Sequence, residues 1–116
     1  MAETKRHIVP ADEVQGTPVF NRKGDRLGTV RKVMIDKASG AVVFTLMSFG
    51  GFLGVGEKFH PLPWDVLKYD RDKGGYLVDL DKEVLLDAPV VERDADFQWA
   101  DDAWAQRIYE YYKVQR

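Results

Sequence analysis

The sequence predicts a small all-β domain closed by an amphipathic helix at its C-terminal end. Three observations carry this. Short apolar runs of strand length are separated by turns rich in Gly, Asp and Lys. The side-chain period changes from about two to about four only near residue 100. And 116 residues, 45% of them hydrophobic, are enough for one self-supporting core, while the lack of cysteine removes disulfide frameworks, thiol catalysis and cysteine metal sites together.

Ile8 to Glu13 is a lead-in, with Pro10 ahead of Ala11-Asp12-Glu13. Pro18-Val19-Phe20 is a short strand, and Asn21-Arg22-Lys23-Gly24-Asp25 is the turn after it, Gly24 supplying the positive φ such turns need. Leu27 to Asp36 follows as a strand of imperfect alternation. Leu27, Thr29, Val33 and Ile35 share one parity, whereas Val30 and Met34 take the other, which calls for a bulge or burial on both faces. After the turn Asp36–Gly40, Ala41 to Phe49 is the most apolar strand. Val42, Phe44 and Leu46 lie on one side, with Val43, Met47 and Phe49 on the other. A strand apolar on both faces has to be covered on both. Glu57 to Trp64 is extended again, and Pro61 and Pro63, two apart, place it at an edge or a bulge. Val66 to Tyr69 runs to the turn Asp70–Gly75, and Tyr76 to Leu80 returns as the last strand.

Asp81 to Leu86 makes one helical turn stopped by Pro89. Beyond Asp101-Asp102, a negative helix start, Trp104, Ile108, Tyr111 and Tyr112 recur at helical spacing. That helix is expected to cover the Val43, Met47 and Phe49 face of the apolar strand. The expected organisation is a single domain over 8–116, its barrel at about 14–81 and its helical extension at about 82–116, with residues 1–7 disordered. Ala38 to Gly56 is 19 residues without a charge, near membrane-spanning length, but five glycines and the β-branched run Val42-Val43 argue for a strand and a glycine loop. No transmembrane segment and no secretory signal are expected, and the location expected is cytoplasmic.

Net charge is −2, so no global positive field recruits nucleic acid. A local basic patch of Arg22, Lys23, Arg26, Arg31 and Lys32 marks the first hairpin, but only Phe20 lies there to stack a base. Nucleic acid is therefore not the expected partner. Gly51 to Gly56 has the glycine spacing of a phosphate loop, yet Glu57 precedes Lys58 and proline-rich extended sequence follows where a helix should begin. Asp70 to Asp81 has the length of a calcium loop, but Gly74 and Asp81 stand at two ligand positions, which favours a hairpin turn. The two histidines, His7 and His60, have no metal-ligand spacing, and His60 reads as a hydrogen-bonded strand histidine near Asp65. No enzyme, no cofactor and no metal are expected.

The order of these elements resembles a PRC-barrel domain. Gly16-Thr17-Pro18-Val19-Phe20, Gly24 to Val30 and Met34-Ile35-Asp36 match its opening, and Phe49 to Lys58 with Leu62-Pro63-Trp64 match the middle of its stand-alone bacterial members. Ala88-Pro89, Trp99 to Trp104 and Tyr111-Tyr112 match their ending. The resemblance implies a β-barrel of about six strands, shared with the cytoplasmic domain of the photosynthetic reaction-centre H subunit and the C-terminal domain of a bacterial ribosome-maturation factor. It also implies a docking module rather than a catalyst, associated with a membrane complex or, alternatively, with ribosome maturation through the basic hairpin. The apolar residues in excess of one core point to a protein partner, a homodimer first. The contact candidates are Phe49, Phe52, Leu53 and Val55, with Trp104, Ile108, Tyr111 and Tyr112 packing on the barrel or across the dimer.

Overall fold

The computed structural model describes residues 8–49, 58–90 and 102–114. The chain runs through a single helical turn α1 (Ala11–Val14), then strands β1 (Pro18–Asn21), β2 (Arg26–Ile35), β3 (Val42–Phe49) and β4 (Lys58–Pro63). A 3-10 turn (Trp64–Val66) leads to β5 (Lys68–Asp70) and β6 (Gly75–Val78), followed by α2 (Lys82–Leu86) and α3 (Asp102–Tyr111). Asn21 builds the first hairpin turn: its Oδ1 accepts from the backbone amides of Lys23 at 3.0 Å and Asp25 at 2.9 Å. Gly24 completes that turn at φ 90°. Asp36 and Asp70 organise the later turns in the same way, each through its Oδ1 and the two amides that follow. Asp70 is thus occupied as a turn residue, in line with the hairpin reading of that stretch.

The six strands form one sheet in the order β4-β3-β2-β1-β6-β5. All neighbours are antiparallel except β1 and β6, which run parallel with Val19 opposite Tyr76. Register shifts in β2 fall between Val30 and Lys32 and between Met34 and Ile35, and these account for the broken alternation of that strand. Closure of the expected β-barrel is not seen: among the described residues no ladder joins β4 to β5, the two ends of the order. Both ends are poor at pairing further. β5 has three residues, and β4 carries Pro61 and Pro63, which have no amide to donate. Val66 and Leu67, expected in the fifth strand, belong instead to the 3-10 turn and its cap.

Val19, Leu27, Val30, Met47, Leu62 and Val78 bring β1, β2, β3, β4 and β6 into one buried cluster that also takes in Leu85 of α2 and Trp104, Ile108 and Tyr109 of α3. α2 has no side-chain cap at Asp81. Its anchors are Leu85, 1% exposed, and the Tyr111 hydroxyl, which donates to the Val84 carbonyl. α3 does cover β3, but on the other side from that expected. Phe44 stacks on Tyr109 at 5.1 Å and meets the edge of Trp104 at 5.6 Å. Register along β3 and β4 is unbroken, so Phe44 has the opposite parity to Val43, Met47 and Phe49. On the Met47 side, His60 stands directly opposite and Val30 is the neighbour on β2, and Leu85 and Leu86 of α2 meet Phe49 and His60.

Candidate interaction surface

The structure separates the residues that the sequence grouped. Trp104, Ile108 and Tyr112 are buried and Tyr111 half-buried, so the stripe of α3 is spent on Phe44, α2 and the core rather than presented outward. Phe49 remains at the surface end of β3, half-buried. Phe52, Leu53 and Val55 lie outside the described residues, as do residues 1–7 and the negative start at Asp101.

A cleft of about 180 Å³ opens beside Phe49, walled by His60 and Lys58 of β4 and by Leu85, Leu86, Ala88 and Val90. Its outer rim is apolar and wet: Leu86 is 70% exposed, and Val90 also faces water. The short α2 explains this. Five residues bury one side chain, Leu85, and leave the flanking Val84 and Leu86 exposed.

Beneath Phe49 lies His60, 1% exposed, with the two rings edge to face at 5.3 Å. Neither ring nitrogen has a hydrogen-bond partner among the described residues, which corrects the expectation of a hydrogen-bonded histidine. The ladder supplies the reason. His60 stands opposite Met47 with Phe49 diagonal to it, so its neighbours offer carbon and sulfur, while Asp65 falls in the 3-10 turn. Burial, with a smaller contribution from the Lys58 ammonium, pushes the imidazole pKa down to about 4. Burial and the adjacent Tyr111 likewise push the phenol of Tyr112 upward, and its hydroxyl is also without a partner among the described residues.

The basic hairpin is less positive than its sequence. Arg22 pairs with Asp79 at 3.1 Å and Lys23 with Asp81 at 3.6 Å, both between exposed side chains. Arg26 donates to the Thr29 hydroxyl at 2.9 Å, and Arg31 sits over the Phe59 ring at 6.0 Å. Lys32 follows on β2, its carbonyl accepting from the Thr45 hydroxyl at 2.7 Å. The acids after β6 that oppose the hairpin are far from it in sequence and meet it through the parallel β1–β6 pairing.

A second cleft, of about 220 Å³, was not foreseen from the sequence. Val9, Glu13, Val14 and Thr17 form one wall and Tyr69 and Tyr76 the other. Tyr69 and Tyr76 are cross-strand partners, which alternation alone puts on one face once the Asp70–Gly75 turn is recognised. Bringing α1 against them required knowledge of the β1–β6 pairing. Among the described residues there is no group of three or more potential metal ligands, and no helix is long and apolar enough to cross a membrane.

No curated protein matches the chain. Among solved structures it is similar to the Pseudomonas aeruginosa protein described as the 16S ribosomal RNA processing protein RimM, with 16% identity and a TM-score of 0.43. That likeness covers 72% of this chain and 50% of the other, so the chain spans about half the length of that protein. The model of the PRC-barrel domain matches residues 7–85, a stretch that holds all six strands and reaches into α2. On that match the chain belongs to the PRC-barrel domain family.

Proposed function

We propose that this chain is a non-catalytic docking module that associates with a second copy of itself, and through it with a larger complex, by the apolar face at the Phe49 end of the sheet. The observation that carries the reading is the exposure of Leu86 and Val90 in the wall of the Phe49 cleft. An exposed apolar cleft wall of this kind suits an isologous contact, in which the same patch serves both partners. The non-catalytic part is supported by the state of the one strongly shifted histidine. A general base has to be reached by the proton it takes, and the His60 nitrogens are sealed under Phe49. The location proposed is the cytoplasm, with peripheral attachment to a membrane complex. A ribosomal or RNA partner is less favoured, because two of the five cations in the basic hairpin are already opposed by Asp79 and Asp81.

Sedimentation velocity of the purified chain tests this, with Leu86→Asp as the comparison. The wild type is expected to sediment as a dimer and the variant as a monomer with unchanged circular dichroism, since Leu86 packs little of the core. A wild-type monomer at high concentration, or a dimer indifferent to Leu86→Asp, would refute this surface. Fractionating a lysate at low and high salt separates the alternatives: an RNA partner is lost steeply with salt, an apolar protein contact is not.

A further inference from the structure

We infer that the Phe49 cleft is an acid-operated release for the second copy of the chain: once His60 takes up a proton, the Phe49 ring leaves the imidazole and occupies the cleft in which the partner seats. The release rests on the dimer proposed above and adds its regulation. Phe49 and His60 meet edge to face at 5.3 Å, and both stand in the wall of the same cleft. His60 is 1% exposed, with neither ring nitrogen hydrogen-bonded among the described residues. A neutral imidazole survives that enclosure at modest cost. An imidazolium carries a charge and two N–H donors, and the carbon and sulfur of Phe49 and Met47 satisfy neither.

The charged groups on the elements around His60 do not relieve it. On its own strand, Lys58 stands in the cleft wall and its ammonium adds repulsion to the cost of burial. β3 has no charged residue from Val42 to Phe49. On β2, Arg31 sits over Phe59, which has the opposite parity to His60 in β4. α2 carries Lys82 and Glu83, and Asp87 follows, all three exposed, whereas the side chains this segment brings to the cleft are Leu85, Leu86, Ala88 and Val90. Water is then the acceptor an imidazolium has to reach, and Phe49 is the cover that can yield. It is half-buried at the last position of β3, with about 180 Å³ of open space beside it, so its ring turns aside by a side-chain rotation alone. The same rotation takes from a second copy the space that its exposed Leu86 would fill.

Sedimentation velocity of the full chain at intervals from pH 7.5 to 4.5, beside His60→Leu, tests the release. The wild-type dimer is expected to weaken by at least about tenfold across that range while its circular dichroism holds. His60→Leu keeps every carboxylate of the wild type and is expected to retain, at pH 4.5, whatever affinity it has at pH 7.5. NMR supplies a local readout: the nuclear Overhauser contact between the Phe49 and His60 rings is expected at pH 7.5 and lost as the imidazole protonates. A wild-type dimer unchanged at pH 4.5, or one weakened equally in His60→Leu, would overturn the release. Dissociation that comes only with loss of circular dichroism would do the same, as would a ring contact that outlasts protonation. Each of these outcomes leaves the dimer at pH 7.5 standing. A wild type already monomeric at pH 7.5 refutes the dimer itself, and the release with it.

Discussion

Acid should destabilise this protein through a single buried histidine, and the size of the effect follows from its surroundings. His60 is enclosed by Phe49 and the sheet, its pKa pushed from 6.5 down to about 4. In the unfolded chain the same imidazole takes up a proton near pH 6.5. Between the two values the unfolded state binds the extra proton and the folded state does not, so stability is complete above pH 6.5 and declines as pH falls toward 4. At about 1.4 kcal/mol per pH unit the loss totals about 3 kcal/mol, and below pH 4 this contribution changes no further. His60→Leu removes the titrating group and both unpartnered nitrogens while keeping an apolar side chain under Phe49. At pH 7.5 the variant should match or exceed the wild type, since an orphaned buried polar atom costs about 1–3 kcal/mol. Urea denaturation at intervals from pH 8 to 4 should show the gap widening by about 3 kcal/mol in favour of leucine. A gap that stays constant across that range, or an imidazole that titrates near 6.5 in the folded protein, would refute the reasoning.

Two further outcomes probe the packing. Gly28→Ala puts a methyl 2.0 Å from the Ser48 carbonyl oxygen and 2.9 Å from Met47 Cγ, so β2 and β3 must separate; a loss of about 2–3 kcal/mol in urea denaturation is expected, and a neutral result would mean the strands are not so close. Ile108→Ala, at a residue 1% exposed on α3, should cost about 2–4 kcal/mol and leave the strand signal in circular dichroism intact, whereas a loss under about 0.5 kcal/mol would show that the helix contributes little to the core.

Local features of the fold were legible because they are written in adjacent residues. The Asn21–Asp25 and Asp70–Gly75 turns, the irregularity within β2, the edge position of Pro61 and Pro63 and the stripe of α3 all came from spacing alone. What failed is non-local. Which side of β3 the helix takes is set by contacts such as Phe44 with Trp104 and Tyr109, sixty or more residues apart, which no sequence window contains. The unpartnered state of His60 has the same origin, because a side chain's neighbours across a ladder are fixed by register. The Tyr69–Tyr76 cleft needed one more step, the lodging of the N-terminal lead-in against a hairpin more than fifty residues away. Trp104, Ile108 and Tyr112, expected to pack on the barrel or across a dimer, lie in the core of the same chain; the sequence left that choice open, since a helical apolar stripe does not say whether its cover comes from the same chain or another.

The parallel pairing of β1 with β6 also governs how the chain reaches its native state. β1 to β4 form a run of neighbours joined in sequence order, and nothing prevents that meander from assembling while the rest of the chain is still being made. The outer edge of β1, however, has to wait for β6, whose Tyr76 lies 57 positions beyond its partner Val19. Closing so long a loop carries an entropic cost that no local turn reduces, so this contact is expected to form late in folding. In the interval Val19 and Phe20 offer an open strand to any other chain. Nascent copies are therefore most exposed to mispairing at a strand that is paired on both edges once folding is complete.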